Sequence, residues 1–232
     1  QKLIANVTEA YESFVFHRVY SLLYNFCTVE MSSIYMDVLK DRMYCDAADS
    51  LSRRSAQTAM YNILDALVRM LAPILVHTAE EAWTAMQTQN SKLKTQKYES
   101  VHLASMPKVN DSIDYKSDEP RWEKLMALRD EVLRTLEGLR QEKTIASNQE
   151  ACVTINCDEE DAEVLNAFGL EQFAALCIVS EVKLQKAVGE TSVSSQKSSY
   201  EKCQRCWNYW PTVGTNAEHP DLCSRCIEVI PG

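Results

Sequence analysis

Four cysteines towards the C-terminal end of the chain are spaced for metal chemistry. They read Cys203-Gln-Arg-Cys206 and, sixteen residues further on, Cys223-Ser-Arg-Cys226. In a C-x2-C pair the chain bends so that both thiolates face one ion. Two such pairs supply four thiolates, a complete tetrahedral set for zinc at about 2.3 Å. A closed set leaves no position for water, so the expected cofactor is one structural zinc ion per chain rather than a catalytic one. A module this short buries too little apolar surface to fold unaided, and metal binding supplies on the order of 10 kcal/mol. His219, four residues before Cys223, is read as a loop residue because four cysteines already complete the site.

Other residues around the knuckles point to nucleic acid. Trp207, Tyr209 and Trp210 follow the first pair. Either they form the small core of the module, or one ring is exposed and stacks on a base. Arg205 and Arg225 hold equivalent places, each just before the second cysteine of its pair. They are read either as solvated side chains or as phosphate contacts. Lys40, Arg42, Arg53 and Arg54 gather around one expected turn, with Asp41, Asp46 and Asp49 beside them. That group is either a solvated face or a small phosphate-contact patch. His17 and His77 fall inside helical patterns and are read as structural. The sequence shows no Ser-His-Asp set, glycine-rich phosphate loop or H-E-x-x-H helix.

The elements that position these groups are mainly helical. The 232 residues are 46% hydrophobic, enough for a real core, and only 5 are glycine and 6 proline. Lys and Arg number 24 against 33 Asp and Glu, a net charge of -9. Binding to nucleic acid must therefore come from placed side chains rather than bulk positive charge. The longest run without Asp, Glu, Lys or Arg is Cys206 to Ala217, shorter than the roughly 18 apolar residues of a membrane span. Cys27, Cys45, Cys152, Cys157 and Cys177 lie in apolar segments and are read as packing residues in a reducing compartment. The chain opens on Gln1 with an apolar pattern under way by Val7, so a piece of a longer protein is expected, with its catalytic machinery upstream.

Apolar spacing of three and four predicts one helix over 8–28, capped by Thr8, and a second over 30–40. The segment 44–50 reads as a loop. A third helix is predicted from Ser50 to Pro73, and a fourth is opened by a Thr78/Glu81 capping box. Short connections imply an antiparallel bundle. Residues 88–119 lose the period and read as a surface excursion with a strand-like patch at Ser100–Leu103. A long helix resumes at Pro120. Alternation at Ala151, Val153 and Ile155 predicts a strand, 159–168 a helix, and 176–179 and 182–184 two further strands. The expected organisation is a helical bundle over 1–145, a small α/β unit over 146–188, a flexible serine-rich linker over 189–199 and a zinc-finger module over 200–232.

Beyond the spacing, the tail is similar to one family. Cys203-Gln-Arg-Cys206-Trp207-Asn-Tyr209, Val213-Gly214, Glu218-His219-Pro220 and Cys223-Ser-Arg-Cys226 resemble the C-terminal zinc module of bacterial-type isoleucyl-tRNA synthetases. Phe16-His17-Arg18-Val19, Asn25-Phe26-Cys27, Ser32 to Asp37, Lys40-Asp41-Arg42-Met43-Tyr44, Ala66 to Arg69, Ala72-Pro73-Ile74-Leu75 and Thr78 to Trp83 resemble the anticodon-binding bundle of the same enzymes. That bundle type is shared with valyl-, leucyl- and methionyl-tRNA synthetases, whereas bundle and zinc tail together are specific. One stretch departs from the family: Ile145-Ala146-Ser147-Asn148-Gln149-Glu150-Ala151 lacks its usual glycine and leucine.

The resemblance implies a cytoplasmic, monomeric C-terminal fragment that binds isoleucine tRNA through its anticodon stem and loop. The parent is then an ATP- and Mg2+-dependent isoleucine-tRNA ligase. Because the family's catalytic signatures are absent, the fragment itself is expected to activate no amino acid. Neither a membrane nor duplex DNA is an expected partner. The alternatives are a valyl or leucyl synthetase region, a glycosylase of the formamidopyrimidine-DNA type, which ends in a similar finger, and a zinc scaffold that binds only protein.

Overall fold

The computed structural model describes residues 1–89, 98–187, 189 and 191–230. Its described residues are mostly helical, with two small sheets. Among the described residues, no helix is long and apolar enough to cross a membrane. The chain divides into two units, one of residues 1–39 and 48–113, the other of residues 40–47 and 114–232.

The first unit begins with α1 (Lys2–Glu12) and α2 (Phe16–Asn25). The single helix predicted over 8–28 is therefore two, and Thr8 lies inside α1 rather than at its cap. The break has a local cause. Phe14 adopts a left-handed backbone, φ 56°, and the N–H groups of Phe14 and Val15 turn back to the carbonyls of Tyr11 and Ala10. This is the terminator that glycine usually supplies, and apolar period alone does not reveal it. After α2 the helix widens into π-type bonding over Phe26–Tyr35 and continues as α3 (Met36–Cys45). The two predicted helices are thus joined without a break.

Helix α4 (Leu51–Leu71) starts where the sequence indicates: the Ser50 hydroxyl accepts the Arg53 N–H. It stops before Pro73. The Met70 carbonyl near its end accepts the Tyr11 hydroxyl at 2.8 Å. Helix α5 (Val76–Gln89) begins before Thr78, so the predicted capping box does not start it. Val7, Ala10, Val19, Leu23, Leu67 and Met70 form one buried cluster. Val68, Ala72, Ala79, Trp83, Met86 and Val101 form another.

The predicted surface excursion is partly corrected. Residues 90–97 lie outside the described residues. Beyond them, Val101–Leu103 is a short 3-10 turn with Val101 buried. Glu80 accepts from the Val101 N–H and the Ser100 hydroxyl, while Trp83 and Gln87 donate to the Tyr98 carbonyl. The segment is tied down because its polar groups find partners on α5.

The second unit is built on α6 (Tyr115–Gln141), which is capped by Asp114 and so starts five residues before Pro120. Its core stripe includes Leu125, Leu128, Val132 and Leu136. The Arg129 side chain is also buried, and its Nε donates to the Leu176 carbonyl at 3.0 Å. Strand β1 (Ala151–Cys157) is central, parallel to β2 (Glu181–Lys186) and antiparallel to β3 (Ser192–Lys197). Helices α7 (Glu159–Phe168) and α8 (Leu170–Cys177) cross between β1 and β2.

Three expectations change here. The strand predicted over 176–179 is the end of α8, closed by Ile178 at φ 58°; a short apolar run does not distinguish strand from helix. The linker predicted over 189–199 contains β3, with Val193 opposite Ile155 and Ser195 opposite Val153. Serine is tolerated there because β3 is an edge strand and β1 supplies the backbone partners. Finally, α6, placed in the bundle over 1–145, packs on α7, α8 and β3 within the second unit.

Candidate metal centre and nucleic-acid interface

The four predicted ligands converge. Cys203 and Cys206 lie in the hairpin between β4 (Glu201–Lys202) and β5 (Tyr209–Trp210), which pair antiparallel. Cys223 precedes the short α9 (Ser224–Ile227), which carries Cys226. Backbone bonds shape both knuckles. Cys203 N–H donates to the Asn208 carbonyl and Trp207 N–H to the Cys203 carbonyl, each at 2.9 Å, and Cys226 N–H donates to the Cys223 carbonyl at 3.0 Å. Between the knuckles, Gln204 N–H donates to the Asp221 carbonyl and Gly214 N–H to the Pro220 carbonyl.

All four cysteines are buried, and their sulfurs lie within 4.8 Å of one another. Cys206 Sγ and Cys223 Sγ are 3.8 Å apart. A tetrahedron with bonds of about 2.3 Å has edges of about 3.8 Å, so the donor set fits zinc. The Cys223 N–H also points at Cys203 Sγ, at 3.4 Å. Burial raises the Cys203 thiol, but the N–H groups of Cys206, Cys223 and Arg205 outweigh it and bring the pKa down to about 7. Burial pushes Cys206 above its ordinary value and Cys223 up to about 11. A coordinated dication inverts that balance and favours the thiolates.

The module's core holds Trp210, Val213 and Leu222 against the cysteines. Trp207 is not part of it. The residue is 59% exposed, with Lys202 Nζ 5.4 Å from the ring centre, and its backbone has φ 66°. Of the two readings of the aromatic cluster, Trp210 therefore takes the packing role and Trp207 is exposed.

The twin arginines have partners within the chain. Arg225 Nη1 and Nη2 donate to Asp41 Oδ2 and Oδ1 at 2.6 and 2.7 Å, and Asp46 Oδ1 lies 3.8 Å from Nη1. Hydrogen bonding to Asp41 raises the Arg225 pKa further. Arg205 Nη1 donates to the Cys45 carbonyl at 2.6 Å and to Cys226 Sγ at 3.6 Å. Neither guanidinium is simply solvated, because carboxylate, carbonyl and thiol groups of the same chain engage both. Lys40 is exposed and Arg42 half-buried in α3; Arg54 is exposed and Arg53 half-buried in the first turn of α4. These four fall in different units, Lys40 and Arg42 in the second and Arg53 and Arg54 in the first.

Cys45, read from the sequence as a packing residue, packs against the metal-site cysteines themselves, and its thiol donates to the Arg205 carbonyl at 3.8 Å. No local pattern marks it. The departing stretch 145–151 proves a sound turn without glycine: Glu150 Oε1 accepts from the N–H groups of Ala146 and Ser147. It also anchors the module. The Ser180 hydroxyl donates to the Gln149 carbonyl and accepts the Tyr209 N–H.

Fold and cysteine cluster together define a mainly helical region that ends in a zinc-finger-type module. Residues 1–155 match the family model for the anticodon-binding domain of tRNA ligases, and residues 201–229 that for the zinc finger found in FPG and IleRS. The chain belongs to the anticodon-binding domain family of tRNA ligases. It is similar to the isoleucine–tRNA ligase of Syntrophotalea carbinolica, 42% identical over 240 residues, covering 99% of this chain and 25% of that protein. The isoleucine–tRNA ligase of Carboxydothermus hydrogenoformans is 42% identical over 236 residues, covering 99% and 25%. That of Brachyspira hyodysenteriae is 40% identical over 231 residues, covering 96% and 24%. The chain spans about a quarter of the length of these relatives.

Proposed function

We propose that this chain is the C-terminal, anticodon-reading region of an isoleucine-tRNA ligase. In this reading Cys203, Cys206, Cys223 and Cys226 hold one structural zinc ion. The region binds isoleucine tRNA as a cytoplasmic monomer and presents it to a catalytic part elsewhere in the ligase, where ATP and Mg2+ act. One observation carries the reading: an anticodon-binding domain and this zinc finger occur in one chain that is similar over nearly its whole length to isoleucine–tRNA ligases. The finger model is shared with FPG proteins, but the anticodon-binding match over residues 1–155 favours RNA over duplex DNA.

Recognition follows from the chemistry of the groups this chain exposes. An unstacked RNA loop offers base faces and edges. The Trp207 ring offers a face for stacking, and Lys40, Arg42, Arg53 and Arg54 offer charge for phosphates. A net charge of -9 repels RNA overall, so affinity rests on these local contacts. The test is binding of the chain to isoleucine tRNA, to the same tRNA with an exchanged anticodon, and to duplex DNA. Preference for the first supports the reading, and equal binding to all three overturns it.

A further inference from the structure

The two arginines beside the zinc knuckles grip one helical turn. Arg205 Nη1 reaches the Cys45 carbonyl, the last of α3, at 2.6 Å. Such a carbonyl has no helical donor beyond it, and a cation there also meets the negative end of the helix dipole. Arg225 holds Asp41, one turn earlier, through both Nη atoms at 2.6 and 2.7 Å. Asp41 and Cys45 are four residues apart and share a helix face. A bidentate guanidinium–carboxylate pair fixes orientation as well as distance. The Cys45 thiol completes the contact, buried in the same cluster as the four metal-site cysteines. Residues 40–47 group with the zinc-module side of the chain rather than with the helices that flank them in sequence.

Each arginine sits between the two cysteines of its knuckle, so its direction depends on how the thiolates hold that knuckle. We infer that metal binding at the four cysteines orders the last turn of α3 through Arg205 and Arg225, which makes them positioning residues rather than RNA contacts. The inference rests on the reading of the cysteines as a zinc site. Lys40 and Arg42 lie on the turn that is held, so their presentation to RNA follows metal occupancy.

Hydrogen exchange resolved by peptide mass spectrometry tests this on the full chain, with a zinc assay on every sample. Removing zinc with a chelator should speed exchange at residues 41–46, on the order of tenfold. Zinc-loaded Arg205→Ala/Arg225→Ala should show the same acceleration. Asp41→Ala lies outside the knuckles and serves as the control for folding of the module. It should keep its zinc, speed the same amides, and show no further loss when combined with Arg225→Ala. Parental exchange in zinc-loaded Asp41→Ala, or in the chelated parent, overturns the inference. tRNA binding is measured in parallel. Normal exchange coupling without tRNA binding overturns the proposed function alone, and tRNA binding without exchange coupling overturns this inference alone.

Discussion

The Lys202 ammonium lies 5.4 Å from the centre of the ring of Trp207, a residue that is 59% exposed. Trp207 also adopts a left-handed backbone, φ 66°, and lies outside the cluster formed by Trp210, Val213, Leu222 and the cysteines. This arrangement suits a stacking platform rather than a packing residue.

Trp207→Ala is expected to keep one zinc per chain and to weaken binding of isoleucine tRNA about tenfold, since stacking on one base contributes roughly 1–3 kcal/mol. Binding of a tRNA with an exchanged anticodon should change much less. Titration of both tRNAs, after the zinc assay, checks this. Unchanged binding of both with zinc retained would leave the ring no role in reading the anticodon.

Arg42→Ala should behave differently. A phosphate contact positions RNA without reading it, so both tRNAs should weaken together and the salt dependence should become shallower by about one unit of slope. Measuring Kd at several salt concentrations decides the matter. Selective loss of the cognate tRNA would assign Arg42 to base reading instead.

Cys206→Ser and Cys223→Ser should each abolish stoichiometric zinc and unfold the module. Most of the far-ultraviolet helical signal should remain, because the helical cores contain none of these cysteines. Limited proteolysis should then cut after Ser198, where the chain leaves β3. Simultaneous collapse of the helical signal would show that the module supports the whole chain.

Tyr11→Phe should destabilise the first unit by about 1 kcal/mol, because it leaves the Met70 carbonyl without its 2.8 Å donor next to a proline-terminated helix end. Burial raises the Tyr11 pKa above its ordinary 10. The sign follows: this contribution is fully present below pH 10 and is lost as pH rises through the folded value. Denaturation of parent and variant at pH 7, and again above the tyrosine range, should show the difference and then its disappearance.

Much of this molecule is legible locally. The two C-x2-C pairs announce a four-thiolate cluster, Ser50 and Pro73 mark the ends of α4, and alternation at Ala151, Val153 and Ile155 marks β1. Each signal is carried by residues a few positions apart, where bond geometry and helix or strand period decide the outcome. Tertiary structure decided the rest. The serine-rich 192–197 became a strand because β1 offered it an edge. Phe14 and Ile178 took left-handed conformations that their side chains disfavour, where the chain turns out of α1 and α8. Arg205 found Cys45 160 residues away, and Arg225 found Asp41 184 residues away. An arginine next to a cysteine looks the same in sequence whether it meets water, phosphate or carboxylate. Only the folded chain sets which acceptor lies within 3 Å, and at that distance the bidentate pair outcompetes solvent.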